Sequence, residues 1–241
     1  IAHRGGKFWE GSDFSYISES VRDGADIIEL DIRFKNGEYV VQHSRWGKMQ
    51  GRLSDALKKV GSALLYLDMK SSRMDVNDLI HYVRSICSNE IIVGSFSVKL
   101  LQSIKDSSVI KNRYCLLPFG MLARARAADA DRVSPICYFV TPHLAQKIQT
   151  SGFKFVPSGN LIFKKKEVMC NQLRYARYGA WAISTHHAKK MREVISAHVL
   201  SYSPIRANGR MTIPIFVRDL NFFERPVRGR NWEYSCGELG T

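Results

Sequence analysis

The chain has 241 residues, 45% of them hydrophobic and 24% charged, with 36 Lys and Arg against 22 Asp and Glu for a net charge of +14. That length and composition suit one large soluble globular domain and exclude an intrinsically disordered chain, and no apolar run is long enough to span a bilayer. The charge attracts anions: phosphodiesters, nucleic acid or acidic lipid headgroups. The basic residues are scattered, and the densest run, Lys164–Lys165–Lys166, is expected on a solvated helix start. No zinc-finger, RNP-like or repeat pattern supports a nucleic-acid module, so no nucleic acid is expected as partner. The five cysteines have no C-x-x-C spacing and are read as buried small hydrophobes in a reducing compartment. The cytoplasm is therefore favoured. The chain lacks an initiator Met and opens directly in a strand, which fits removal of an N-terminal segment.

Short β-rich runs alternate with helical patterns along the chain. The predicted strands are 1–3, 26–32, 64–69, 91–95, 113–117, 136–140, 180–184 and 198–201. Helical spacing between them is carried by Phe14/Ile17/Val21, Leu53/Leu57/Val60, Val76/Leu79/Ile80/Val83, Val98/Leu101/Ile104 and Met191/Val194/Ile195. Eight strands with helical connections fit an α/β fold, a closed (β/α)8 TIM barrel, with a doubly wound sheet as the competitor. Two segments depart from the alternation: 39–43 reads as an extra strand beside the second, and 153–157 as an extended insert. After Pro204 the periodicity fades, so residues 1–205 are assigned to the barrel and 206–241 to a short C-terminal extension on the barrel or its rim.

Alternate residues of a strand share a face. Glu29 and Asp31 therefore point one way, with Leu30 and Ile32 pointing the other, toward helices. The next strand places Asp68 and Lys70 on one face. In a parallel barrel both pairs fall at the C-terminal strand ends, where barrel enzymes keep their chemistry. Three carboxylates without His or Cys suit a hard, oxygen-preferring ion, Mg²⁺ or Ca²⁺. Salt bridging of the same acids to Arg4, Arg33 and Lys70 is the alternative, and spacing leaves both open. His3 and His43, at strand ends near these acids, are candidates for general acid and base. Arg4 offers a planar fork to phosphate oxygens and Lys70 a point charge. His81 is assigned to a helix surface, and His186–His187 to a cap or surface role ahead of a helix.

These residues resemble the glycerophosphodiester phosphodiesterase family, within the phosphatidylinositol-phospholipase-C-like barrel superfamily. The resemblance runs from Ile1–Ala–His–Arg–Gly5 through Gly24–Ala–Asp–Ile–Ile–Glu–Leu–Asp–Ile32 and Val40–Val–Gln–His43 to Leu67–Asp–Met–Lys70. Weaker matches continue to about residue 205. It implies a divalent ion held by Glu29, Asp31 and Asp68, an acid–base pair of His3 and His43, and phosphate neutralisation by Arg4 and Lys70. Attack by a substrate hydroxyl would give a cyclic phosphate that water opens, releasing sn-glycerol 3-phosphate or another monoester and an alcohol. Trp181 would pack on the substrate's organic part or in the barrel core.

The chain also departs from the family. Its third acid is Asp68 where Glu is usual; toxin-like sphingomyelinase D relatives also use Asp there, beside a Lys. Ser44 follows His43 in place of Asp, the Pro–Glu–Asn–Thr stretch is not recognisable in 9–15, and the 44–52 segment is short. A shorter loop implies a more open site and a bulkier substrate, such as a lysolipid or sugar phosphodiester. A small-molecule phosphodiester, with lipid-headgroup or membrane-surface contact, is the expected partner. Two alternatives stand beside the glycerophosphodiester reading: lysophospholipase D or sphingomyelinase-D-like cleavage, and a barrel that binds without catalysing.

Overall fold

The structure, a computed structural model, describes residues 1–9, 13–71, 74–104, 110–117, 122–158 and 169–201, with 110–117, 169–172 and 198–201 as backbone only. Six parallel strands form its frame: β1 (Ile27–Lys35), β4 (Leu64–Met69), β5 (Ile91–Ser95), β6 (Ile110–Leu117), β7 (Arg132–Pro135) and β8 (Lys154–Phe155) pair side by side in that order. Two short extended segments close the ring. The Trp181 N–H donates to the Phe155 carbonyl at 2.9 Å, and Ala2 bridges in parallel to both Thr185 and Ile28. The first and last segments of the barrel are thus adjacent, as the predicted TIM barrel requires.

The β-rich runs become strands because they are buried on both faces, as parallel strands under helices are. Leu30, Ile32, Leu65, Leu67 and Val93 face outward into one large core with the helices, whereas Ile27, Tyr66, Ile92 and Val156 form a smaller cluster of their own. Between strands lie α1 (Ser15–Arg22), α2 (Leu53–Leu57), α3 (Val76–Arg84), α4 (Val98–Gln102), α5 (Leu122–Ala127), α6 (Pro142–Thr150), α7 (Met169–Arg177) and α8 (Ala188–Ser201). Local chemistry starts several of them. Asp75 accepts from the N–H groups of Asn77 and Asp78, and Thr141 accepts from Leu144 ahead of Pro142.

Residues 39–43 do form an extra strand beside the second. β2 (Glu38–Val41) pairs antiparallel with the outer half of β1, and β3 (Gly51–Arg52) pairs with β2. Three strand predictions need correction. The sixth barrel strand is 132–135, not 136–140: Cys137–Phe139 is a 3-10 turn with Tyr138 and Phe139 exposed. The apolar run was misleading because the strand itself, Arg–Val–Ser–Pro, is polar in composition. Its Pro sits at the strand end, where a missing N–H is tolerated. The 153–157 segment supplies the seventh barrel strand rather than an insert, so 180–184 belongs to the eighth. Consequently 198–201 is not a strand and lies in α8.

The compact unit that holds the barrel spans Ile1–Glu193, and a second, Val194–Thr241, is described only through the end of α8. The expected extension at 206–241 and the Lys164–Lys166 run lie outside the described residues. Among the described residues no helix is long and apolar enough to cross a membrane.

Candidate active site

The site begins with the backbone after Ala2. His3–Gly5 makes one 3-10 turn, inside which Arg4 adopts a left-handed conformation (φ 53°, ψ 36°). A non-glycine residue held there marks a locally enforced geometry. Gly5 and Gly6 follow at φ 77° and 112°. A Cβ on Gly5 would meet Ile17 at 2.8 Å, and one on Gly6 would collide with the Ser20 hydroxyl. These two positions need glycine, because α1 packs directly beneath the turn. The Arg4 N–H donates to Glu29 Oε2 at 2.8 Å and its side-chain Nε lies 3.3 Å from Asp31 Oδ2.

The register of β1 and β4 sets Asp31 beside Asp68. Glu29, Asp31 and Asp68 are all buried, and each offers a carboxylate oxygen within 4.8 Å of the others. Lys70 lies among them, its ammonium 3.0 Å from Asp31 Oδ1 and in hydrogen-bond contact with Asp68 Oδ2. Burial, then Asp31 and Asp68, raise the carboxyl pKa of Glu29. Burial also raises that of Asp68, against the pull of Lys70. For Lys70 burial acts downward, but Asp68, Asp31 and Glu29 outweigh it and the pKa rises. Fully ionised, three acids against two nearby cations would carry one excess negative charge, and Asp68 Oδ1 is buried without a hydrogen-bond donor. An oxygen-only, anionic, buried pocket fits a hard divalent ion. The salt-bridge alternative is realised in part: Arg4 and Lys70 do pair with the acids. Arg33 does not, since its guanidinium donates to the His43 carbonyl at 2.9 Å.

His3 faces this pocket, with Nε2 3.7 Å from Glu29 Oε2. Its other nitrogen, Nδ1, lies 3.0 Å from Nε2 of His186, whose own Nδ1 lies 2.9 Å from the Gly6 carbonyl oxygen. A carbonyl only accepts, so His186 carries a proton on Nδ1, and the neutral His186 ring then accepts from His3 on Nε2. The chain of bonds leaves a lone pair on His3 Nε2, directed into the site. Burial, then His186, Arg4, Lys70 and His43, lower the His3 pKa well below the usual imidazole value, which keeps the ring neutral. His43 sits exposed at the rim, next to Gln42, whose N–H donates to the Asp31 carbonyl at 2.9 Å. Burial lowers its pKa and Asp31 partly opposes this.

His3, Arg4, Glu29, Asp31, His43, Asp68 and Lys70 thus converge on one end of the barrel. Trp181 does not join them. It stands at the start of the last strand, four residues before Thr185, under the Arg132 guanidinium at 4.2 Å and among Ile27, Tyr66, Ile92 and Val156. That puts it roughly 13 Å of strand away from the chemistry, in the opposite end of the barrel interior. His186 was missed in the sequence and assigned to a cap or surface; it is 4% exposed and bonded to His3. The only sequence signal was its position just past the last strand, as His3 is just past the first. His81 is exposed on α3, as expected.

No protein-family model and no curated relative matches the chain by sequence. Solved structures do match in fold. An Oleispira antarctica phosphodiesterase in complex with the product sn-glycerol-3-phosphate superposes with TM-score 0.68 at 14% identity, over 81% of this chain and 96% of that one. Glycerophosphodiester phosphodiesterases from Parabacteroides distasonis (TM-score 0.65, 13% identity, 83% and 97% covered) and Agrobacterium tumefaciens (0.60, 17%, 80% and 97%) are also similar. At such identities the likeness establishes the fold: this chain has the barrel architecture of the glycerophosphodiester phosphodiesterases.

Proposed function

We propose that the protein is a divalent-cation-dependent phosphodiesterase acting on a glycerophosphodiester-like substrate. The observation that carries this reading is the buried convergence of Glu29, Asp31 and Asp68 with His3, Arg4 and Lys70 at the C-terminal end of the barrel. Support also comes from the fold shared with a phosphodiesterase that holds sn-glycerol-3-phosphate.

Glu29, Asp31 and Asp68 would hold the cation, Mg²⁺ or Ca²⁺, which supplies charge stabilisation at a phosphate oxygen. Arg4 and Lys70 neutralise the other phosphate oxygens. His3, held neutral with its Nε2 lone pair facing the pocket, takes the proton of the attacking hydroxyl. His43, beside the anionic diester, gains proton affinity from that charge and donates to the leaving alkoxide. Attack by a hydroxyl of the substrate itself gives a cyclic phosphate and needs no second molecule to be oriented. Water then opens the ring with the two histidines in exchanged roles.

The test is turnover of glycerophosphocholine and other diesters with added Mg²⁺ or Ca²⁺, reading the phosphate monoester. Activity that EDTA abolishes and either ion restores is the expected result. Full activity in His3→Ala rules out the mechanism. Lysophospholipase-D-like cleavage is the second reading, favoured by the short exposed segment after His43. A non-catalytic binding barrel would show no turnover and no heat of divalent-ion binding.

A further inference from the structure

Seven large hydrophobic side chains are exposed among the described residues, and their placement is one-sided. Trp9 follows the first barrel segment, Phe34 lies on β1 beyond Asp31, Trp46 and Met49 follow β2, Phe96 follows β5, and Tyr138 and Phe139 follow β7. Six of them belong to segments at the C-terminal ends of barrel strands, on the side of the pocket of acids; Phe34 shares the outward face of Leu30 and Ile32 and packs on Tyr39. Single exposed apolar residues are ordinary, but their concentration on one face marks an interaction surface.

The segment after His43 is the most pronounced. Arg45–Trp46–Gly47–Lys48–Met49 is exposed throughout, with Trp46 at 88% and Met49 at 51% of their full accessibility. Residues 44–50 contain two cations and no acid. Among the described residues neither Arg45 nor Lys48 enters an ion pair, and the Arg45 guanidinium stacks 5.0 Å from the Trp46 ring centroid. The segment is tied to the site: the Gln42 side chain donates to the Gly47 carbonyl, and Lys35 donates to that of Arg45. A tryptophan and a methionine flanked by Arg and Lys match the boundary of an anionic bilayer, where aromatic rings settle at headgroup depth and basic side chains meet lipid phosphates. The +14 charge of the whole chain favours the same encounter.

We propose that the Arg45–Met49 segment docks this end of the barrel on an anionic phospholipid surface, so that the site takes a phosphodiester headgroup whose hydrophobic tail stays in the bilayer. The substrate half of this inference rests on the phosphodiesterase reading above; the docking half does not.

The test is co-sedimentation of the purified chain with vesicles of phosphatidylcholine alone and of phosphatidylcholine mixed with phosphatidylglycerol, at low and high salt. Turnover of water-soluble glycerophosphocholine and of a vesicle-borne lysolipid is measured alongside. The wild type should sediment with the anionic vesicles and be released by salt. Arg45→Ala combined with Lys48→Ala should weaken that partitioning about 30-fold. Trp46→Ser should weaken it roughly tenfold and reduce fluorescence quenching by brominated lipid. Both variants keep wild-type turnover of glycerophosphocholine and lose turnover of the vesicle-borne lysolipid. A wild type that does not sediment, or that sediments equally with pure phosphatidylcholine, overturns the proposal, as do variants that sediment like wild type. Sedimentation without turnover of any diester leaves the docking standing and removes the phosphodiesterase reading; turnover without sedimentation does the reverse.

Discussion

The two ends of the barrel interior are built by the same strands and do opposite things. At the N-terminal end, Ile27, Tyr66, Ile92 and Val156 meet around Trp181. Two to four residues further along the same strands, Glu29, Asp31, Asp68 and Lys70 meet around His3 and Arg4. Gly94 fits the apolar end to its task, since a Cβ there would collide with the Tyr66 ring. The polar end instead carries a left-handed Arg4 and acids with raised pKa values. Stability is stored at one end and spent at the other, as strained, charged sites require a packed base to hold them.

The comparison is broken most strongly at the polar end. Asp31→Asn should abolish cation-dependent turnover, and His3→Ala should reduce kcat about 10³-fold, while circular dichroism stays native. At the apolar end, Ile92→Ala should cost about 2–5 kcal/mol in denaturant unfolding with little change in the KM of the folded protein. Trp181→Leu should likewise leave KM intact, whereas a rise in KM would return Trp181 to the substrate. His186 gives a smaller, sharper test. His186→Ala should lower kcat roughly tenfold to a hundredfold, and His186→Asn, whose amide can still accept from His3, should recover most of it. Nitrogen NMR of the His3 ring would show the Nδ1–H tautomer in wild type and lose it in the alanine variant.

The smallest effect concerns pH. Glu29 is pushed from 4.5 to about 8, so above the ordinary imidazole range, where the buried neutral histidines no longer differ from the unfolded chain, the folded, cation-free protein binds more protons than the unfolded one. Stability therefore falls as pH rises from the ordinary imidazole range toward 8; below that range the buried neutral His3 and His43 act in the opposite direction to Glu29. Thermal melts in EDTA should show this slope, and saturating Mg²⁺ or Ca²⁺ should flatten it. A cation-free protein that grows more stable from about pH 7 to about pH 8 would contradict the buried acid cluster.

Much of the barrel and most of the polar end were legible in the sequence. Period-two alternation placed Glu29 with Asp31 and Asp68 with Lys70, because strand geometry sends alternate side chains to one face whatever surrounds them. The long apolar runs at 26–32, 64–69 and 91–95 announced central parallel strands for the same local reason. The second half of the barrel was less legible: 132–135 and 154–155 are too short and polar to signal burial, and each becomes a strand only because its neighbour offers a ladder to join. Ring closure decided the rest. Pairing Ala2 with Thr185 brings residues more than 180 positions apart into contact, so His186 meets His3 and Trp181 is carried to the far end. Local chemistry thus determined which acidic and basic side chains share a face. Only the closed barrel, through contacts distant in sequence, decided that His186 meets His3 beside the acids and that Trp181 packs at the apolar end.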